Sequence, residues 1–297
     1  MALLSRRDAG KLIVAGGAGL PAAGKLTLGV PMIDSVVRGV QIGAQSYSFR
    51  DRGLDECIAA FQAVGLGEVE LYTGHTDPKG MFGPELRKWR LSALLSHWQE
   101  IRTKFDNAGI LVYAYNFSFN KRMTDEEFER GFQMAQALGV KYITASSQVS
   151  VAPRVDKYAQ KYQITVGFHG HDNTKDPDEF STPDTFARAM KGASKYIGIN
   201  LDIGHFTAAG GDAVAFLGEH HEQIVTLHIK DRKKDHGANL PFGQGDTPIV
   251  EVLRLLRDNQ WKIPANIEYE YGETIKGLDP VAEVKKCYDY CRKALET

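Results

Sequence analysis

Eight short apolar runs, each followed by a stretch of helical periodicity, divide this chain into units of roughly 30 residues. The runs are "GVQIGAQSYSF" (39–49), "EVELY" (68–72), "ILVYAYNFSF" (110–119), "KYITASS" (141–147), "ITVGFHGH" (164–171), "IGINLDIGH" (197–205), "IVTLHIKD" (224–231) and "ANIEYEY" (265–271). Each is rich in β-branched or aromatic residues and bounded by turn formers, which predicts strands. Several are continuously apolar, as parallel strands covered on both faces are. Between them, "GLDECIAAFQAVG", "LSALLSHWQEIRTKFDNAG", "TDEEFERGFQMAQALG" and "TPDTFARAMKGAS" space their apolar residues three and four apart. Thr124 and Glu127 form a capping-box pattern, Gly139 stands at a helix end, and Pro248 and Pro280 sit at first helical turns.

Alternation of this kind predicts an α/β fold, a single-domain (β/α)8 TIM barrel. The rival, a doubly wound open sheet, usually carries a glycine-rich phosphate loop after its first strand. The first strand here leads into "SYSFRDRG", which offers none.

Composition narrows the function classes. With 297 residues, 43% hydrophobic, the chain can bury a large core. The 36 basic and 37 acidic residues leave a net charge of −1, so neither nucleic acid nor an anionic membrane is an expected partner. Arg232-Lys233-Lys234 reads as a solvated loop. Cys57, Cys287 and Cys291 make no disulfide framework, and Cys287 and Cys291 read as ordinary helix cysteines. At the N-terminus, "SRRDAGKLIVAGGAGLPAAGKL" joins Arg6-Arg7 to an apolar, Gly/Ala-rich run without further acids after Asp8. It resembles a twin-arginine export signal. Residues 1–35 are therefore expected to be an export signal and linker, with 36–297 as the barrel. The mature protein is then expected in the periplasm, off the membrane, with a homo-oligomer allowed.

Active-site groups of a barrel sit at the C-terminal ends of its strands. Strand two offers Glu70, with His75 beyond it, and strand three ends near Asn116. Strand five carries His169 and His171, and strand six carries Asp202 and His205. Strand seven carries His228 and Lys230, and strand eight carries Glu268 and Glu270. A lone strand-end histidine is commonly a hydrogen-bonded core residue. Four successive strands each offering an acid or imidazole point instead to a shared site. Carboxylate oxygen with imidazole nitrogen suits Mn²⁺, Fe²⁺, Co²⁺ or Zn²⁺. Inward positions on a strand are two apart, so spacing alone leaves either member of each pair open as the ligand.

"VGFHGHDNT", "LDIGH", "LHIKD", "FGQGDTP" and "NIEYEYG", in that order, resemble the sugar phosphate isomerase/epimerase family, the xylose isomerase-like barrels. The resemblance runs over roughly residues 39–295. It implies one divalent metal, manganese favoured, held by Asp202, His228 and Glu268. His169 stands where the family commonly has a strand-five glutamate, with His171 as its alternative. It implies that His205 faces substrate, and that Glu268, His205 and His171 serve in proton transfer. Lys230, Glu70, Asn116 and Gln244, the last in the "PFGQGDTP" loop, are the expected substrate-binding residues.

The implied reaction is isomerisation or epimerisation of a sugar or keto-sugar through an enediolate. A dehydratase or β-eliminating lyase with the same first step is the alternative. An endonuclease-IV-type nuclease and a non-catalytic sugar-binding barrel are further rivals. Export would favour an unphosphorylated sugar.

Overall fold

The computed structural model describes residues 30–297. Most of the expected export segment, residues 1–29, lies outside the described residues. At its end, Ile33 N–H donates to Gly109 O (2.8 Å) and Ser35 Oγ–H to Ile42 O (2.6 Å), so close packing on the barrel begins before residue 36.

Eight parallel strands follow one another around a closed barrel. They are β1 (Val40–Gln45), β2 (Glu68–Tyr72), β3 (Leu111–Asn116), β4 (Tyr142–Ala145), β5 (Thr165–His169), β6 (Ile197–Asp202), β7 (Ile224–Ile229) and β8 (Ala265–Ile267). Closure is direct: Ala265 pairs with Ile42 on one side of β8 and with Leu227 on the other. A two-residue antiparallel strand, Val36–Val37, folds back on β1. The sequence-based expectation of a single-domain TIM barrel is met.

Ten α-helices surround the strands among the described residues, two more than the simple alternation predicts. They are α1 (Leu54–Val64), α2 (Gly83–Ser92), α3 (Ser96–Asn107), α4 (Asp125–Ala137), α5 (Ala152–Tyr162), α6 (Pro183–Met190), α7 (Ile203–Ala208), α8 (Ala213–His220), α9 (Ile249–Asn259) and α10 (Pro280–Glu296). The capping box of α4 forms, with Glu127 N–H donating to Thr124 Oγ1 and Thr124 N–H to Glu127 Oε2. Gly139 follows that helix at φ +70°, a conformation that costs other residues energy.

The run 91–109, read as one helix, is broken. Ala93 is extended (φ −61°, ψ 143°), which separates α2 from α3. Arg130 of α4 reaches across and donates to the carbonyls of Arg90 and Ala93, which a continuous helix would use itself. Tertiary contacts override the local periodicity here.

Strands also end earlier than their apolar runs. All but β2 do so, stopping at Gln45, Asn116, Ala145, His169, Asp202, Ile229 and Ile267. The clearest cause lies after β6. Asp202 Oδ1 accepts the His205 N–H (2.7 Å), caps α7 and lifts His205 off the strand line onto the first helical turn.

The loop 241–248 folds onto Asp231. That carboxylate accepts the N–H groups of Gly243 (2.8 Å), Gly245 (2.9 Å) and Thr247 (3.3 Å). A Cβ on Gly245 would lie 2.0 Å from Asp231 Oδ1, so glycine is required for the approach. Asp231→Asn should therefore free the loop without unfolding the barrel. An amide retains one acceptor oxygen, and at least one of these partly buried N–H groups loses its partner, at a net cost of about 0.5–1.5 kcal/mol each. Amide hydrogen exchange at Gly243, Gly245 and Thr247 should accelerate about tenfold. Unchanged protection there would mean that the carboxylate does not hold the loop.

Candidate metal centre and active-site mouth

The C-terminal ends of β5 to β8 bring His169, Asp202, His228 and Glu268 together. One potential ligand atom from each lies within 4.8 Å of the others, and all four residues are buried. Their convergence follows from the register. Asp202 pairs with His228 across β6 and β7, and His169 with Asn200 across β5 and β6. Glu268 stands one residue past β8, its N–H donated to Ile229 O (3.1 Å).

Polar contacts pack the cluster. His169 Nε2 is 3.4 Å from Asp202 Oδ2, and its Nδ1 is 3.3 Å from Ser146 Oγ. His228 Nδ1 is 3.0 Å from Glu268 Oε2, and its Nε2 is 2.9 Å from Glu70 Oε2. Lys230, only 2% exposed, places Nζ 3.1 Å from Asp202 Oδ2, 2.9 Å from Glu268 Oε2 and 2.6 Å from Glu270 Oε2.

Charge follows from these distances. Burial raises the pKa of Asp202 and Glu268 and is the largest single influence, but Lys230 and the neighbouring imidazoles, His205 and His169 at Asp202 and His228 and His169 at Glu268, together outweigh it and hold both well below the carboxylate range. Burial would likewise lower Lys230, and the carboxylates Asp202, Glu268 and Glu270 push it well up. At His169 burial outweighs the hydrogen bond to Asp202, and the pKa falls to about 3, which leaves the ring neutral. For His228, burial is outweighed by Glu70 and Glu268, and its pKa rises.

The donor set fits a divalent ion. Glu70, Asp202, Glu268 and Glu270 bring four carboxylates against the Lys230 ammonium and the His228 imidazole, whose pKa they raise, so further positive charge is favourable. Two imidazoles and two carboxylates with no thiolate suit a borderline first-row metal. A carboxylate behind a ligating imidazole is the usual orienting arrangement, and Glu70 behind His228 has it.

Other sequence-predicted residues fall in different places. Glu70 is 0% exposed inside the barrel, its Oε1 accepting from Thr144 Oγ1 (2.6 Å), rather than at the rim where substrate contact would need it. His205 Nε2 is 3.0 Å from Lys230 Nζ, and its Nδ1 faces Arg232 Nη1 (2.6 Å) and Asp172 Oδ1 (3.6 Å). His171 Nδ1 pairs with Glu179 (2.7 Å). Burial lowers the His171 pKa, but the Glu179 hydrogen bond and charge lift it above its ordinary value. His171, His205, Lys230 and Asn116 all line a cavity of about 330 Å³ over the cluster. Gln244 is exposed and outside that lining, because Asp231 draws its loop away.

Several lining residues escaped the sequence reading: Gln45, Tyr47, Tyr72, Ser118 and Ser146. Gln45 and Tyr72 end β1 and β2, so their strand-end position was an available signal. Being neither acid nor imidazole, they did not fit the metal pattern. Asp172 lies within the quoted "HGHDNT", but only the fold places it against His205 and Arg232.

The comparisons agree with the fold. A family model described as xylose isomerase-like TIM barrel matches residues 58–293. The L-ribulose-5-phosphate 3-epimerase UlaE of Shigella boydii is 26% identical over 186 residues, 56% of this chain and 62% of that protein. The chain thus spans under two thirds of that curated relative's length. A crystal structure of a sugar phosphate isomerase/epimerase from Parabacteroides distasonis superposes with a TM-score of 0.64 at 16% identity, covering 91% of this chain and 99% of the other. IolI with a bound zinc atom superposes with a TM-score of 0.65 at 17% identity, covering 86% and 98%. Over more than half its length, then, this chain belongs to the xylose isomerase-like TIM barrel family.

Proposed function

We propose that the protein is a divalent-metal-dependent isomerase or epimerase that moves a carbon-bound proton beside the carbonyl of a sugar or keto-sugar. The observation that carries this reading is the convergence of His169, Asp202, His228 and Glu268 within 4.8 Å under an open mouth. The epimerase relative and the zinc-bearing neighbour support it.

His169, Asp202, His228 and Glu268 would hold the ion, with Glu70 fixing the His228 ring from behind. Bound there, a divalent ion would supply Lewis-acid polarisation of a carbonyl and stabilise the adjacent enediolate. Glu268 faces the cavity and is kept ionised by Lys230, so it is the base for the carbon-bound proton. Lys230, its N–H groups held by Asp202, Glu268 and Glu270, contributes its positive charge beside oxygen on which negative charge develops. His205 and His171 stand across the mouth as the second acid/base pair. Asn116 and Ser146 offer uncharged donors and acceptors to sugar hydroxyls.

A lyase is the second reading, and the strand-five lip favours it. That lip carries two imidazoles, His169 and His171, with ring centroids 4.9 Å apart, and no carboxylate opposite Glu268. His171, paired with Glu179, would protonate a departing oxygen.

Elemental analysis of the purified full chain, together with incubation of keto-sugars in deuterated water, tests the proposal. About one divalent ion per chain and deuterium at carbon in a product of otherwise unchanged composition are expected. A product lighter by water or an alcohol assigns the lyase. Absence of both bound metal and deuterium incorporation would defeat the reading.

A further inference from the structure

We propose that the mouth selects an uncharged sugar over its phosphate ester, with Tyr72 and Tyr47 as the wall against which the sugar's C–H face rests. This rests on the isomerase/epimerase reading and names its substrate class.

Phosphate recognition needs free cationic donors or unpaired backbone N–H groups. Among the described residues lining the cavity, the single lysine, Lys230, is already bound by three carboxylates. His228 lies between Glu70 and Glu268, His171 is paired with Glu179, and His205 sits between Lys230 and Asp172. The arginines just outside are also engaged. Arg232 pairs with Asp172 and Gly237 O, and Arg50 with Glu273. The His205 N–H, at the start of α7, is taken by Asp202 Oδ1.

The balance of charge points the same way. With His228 neutral, as a ligand to the ion must be, Glu70, Asp202, Glu268 and Glu270 outnumber the ammonium of Lys230 and the two charges of a divalent ion, leaving an excess of negative charge at the site. A phosphate dianion meets repulsion there, and an uncharged polyol does not.

The opposite wall suits a sugar. The rings of Tyr47 and Tyr72 meet edge to face, centroids 5.1 Å apart at 84°. Both are half-buried and line the cavity. Tyr72 is fixed by its N–H donated to Ser46 Oγ (2.8 Å). Gly74 leaves space for its ring, since a Cβ there would lie 2.3 Å from Tyr72 Cε1. Tyr47 is fixed by the Arg50 guanidinium 4.2 Å from its ring centroid. A rigid aromatic surface beside the neutral Gln45, Asn116, Ser118 and Ser146 matches a ring of C–H bonds and hydroxyls.

The test uses the full chain loaded with Mn²⁺ and matched pairs: L-ribulose, D-xylulose and D-fructose, each against its own phosphate. Calorimetry reads binding, and deuterium uptake at carbon reads turnover. At least about a tenfold tighter binding of one or more free sugars than of the matching ester is expected. Tyr72→Ala should raise KM for that sugar about tenfold with kcat changed less than about threefold, the split expected of a group that binds ground and transition states equally. Tighter binding of the esters would overturn the selectivity, while deuterium uptake from them would still support the enzymatic reading. Preferential binding of free sugars with no uptake would sink the enzymatic reading and leave the selectivity standing. Failure of every sugar and ester to bind would overturn both.

Discussion

Glu268→Gln should abolish proton exchange at carbon while leaving the barrel folded. Glu268 Oε2 is the meeting point of the cluster, 3.0 Å from His228 Nδ1 and 2.9 Å from Lys230 Nζ. The substitution keeps volume and removes charge. It takes away the proposed base and one ligand of the ion at once. Removal of a general base typically costs 10²–10⁴-fold in rate, so deuterium uptake should fall by about 10³-fold or more. Metal affinity should fall by at least about tenfold. The fold should persist, because Lys230 keeps Asp202 and Glu270 as partners and the Glu268 N–H keeps Ile229 O. Uptake, metal per chain and the melting temperature are the three readouts. A variant that exchanges deuterium at the wild-type rate would remove Glu268 from the chemistry.

Glu70→Gln should weaken metal binding by about 10–100-fold although Glu70 lies a full imidazole away from the ligand atoms. Thr144 Oγ1 donates to Glu70 Oε1 at 2.6 Å. In the variant that hydroxyl holds the amide oxygen, which turns the NH2 group toward His228 Nε2. The imidazole must then accept at Nε2 and carry its proton on Nδ1, the atom that faces Glu268 and would face the ion. The ring stays in place in the wrong tautomer. Competition with a chelator measures the affinity, and nitrogen chemical shifts of His228 report the tautomer. Adding Thr144→Val frees the amide to turn over, and part of the affinity should return. Wild-type affinity in the single variant would show that Glu70 does not govern the His228 ring.

These two carboxylates also mark where the sequence was legible. Strand-end position is written in the apolar runs, so the candidates on strands five to eight could be named without coordinates. Closure of the barrel then brings His169, Asp202, His228 and Glu268 side by side. Glu70 shares that strand-end signature. Its side chain nevertheless points into the barrel beneath His228, because β2 and β7 face each other across the closed interior. Nothing local to "EVELY" encodes that distance. Gln244 lies outside the cavity lining for the opposite reason. Its loop follows strand seven in the sequence, and Asp231, thirteen residues earlier, holds the flanking Gly243 and Gly245 N–H groups. Nothing in the sequence singled out Tyr47 and Tyr72. Only the pairing of β1 with β2 makes them one wall.

By itself the sequence determined the number and order of the strands, the enclosed parallel sheet and the residue types at its mouth. Periodicity and turn chemistry act over a few residues and survive any rearrangement of distant parts. Only the tertiary structure decided which charges neutralise one another. Lys230, Glu70 and Glu270 take their roles from partners as far as 158 residues away, such as His228 for Glu70, and Coulomb energy depends on separation through space rather than along the chain.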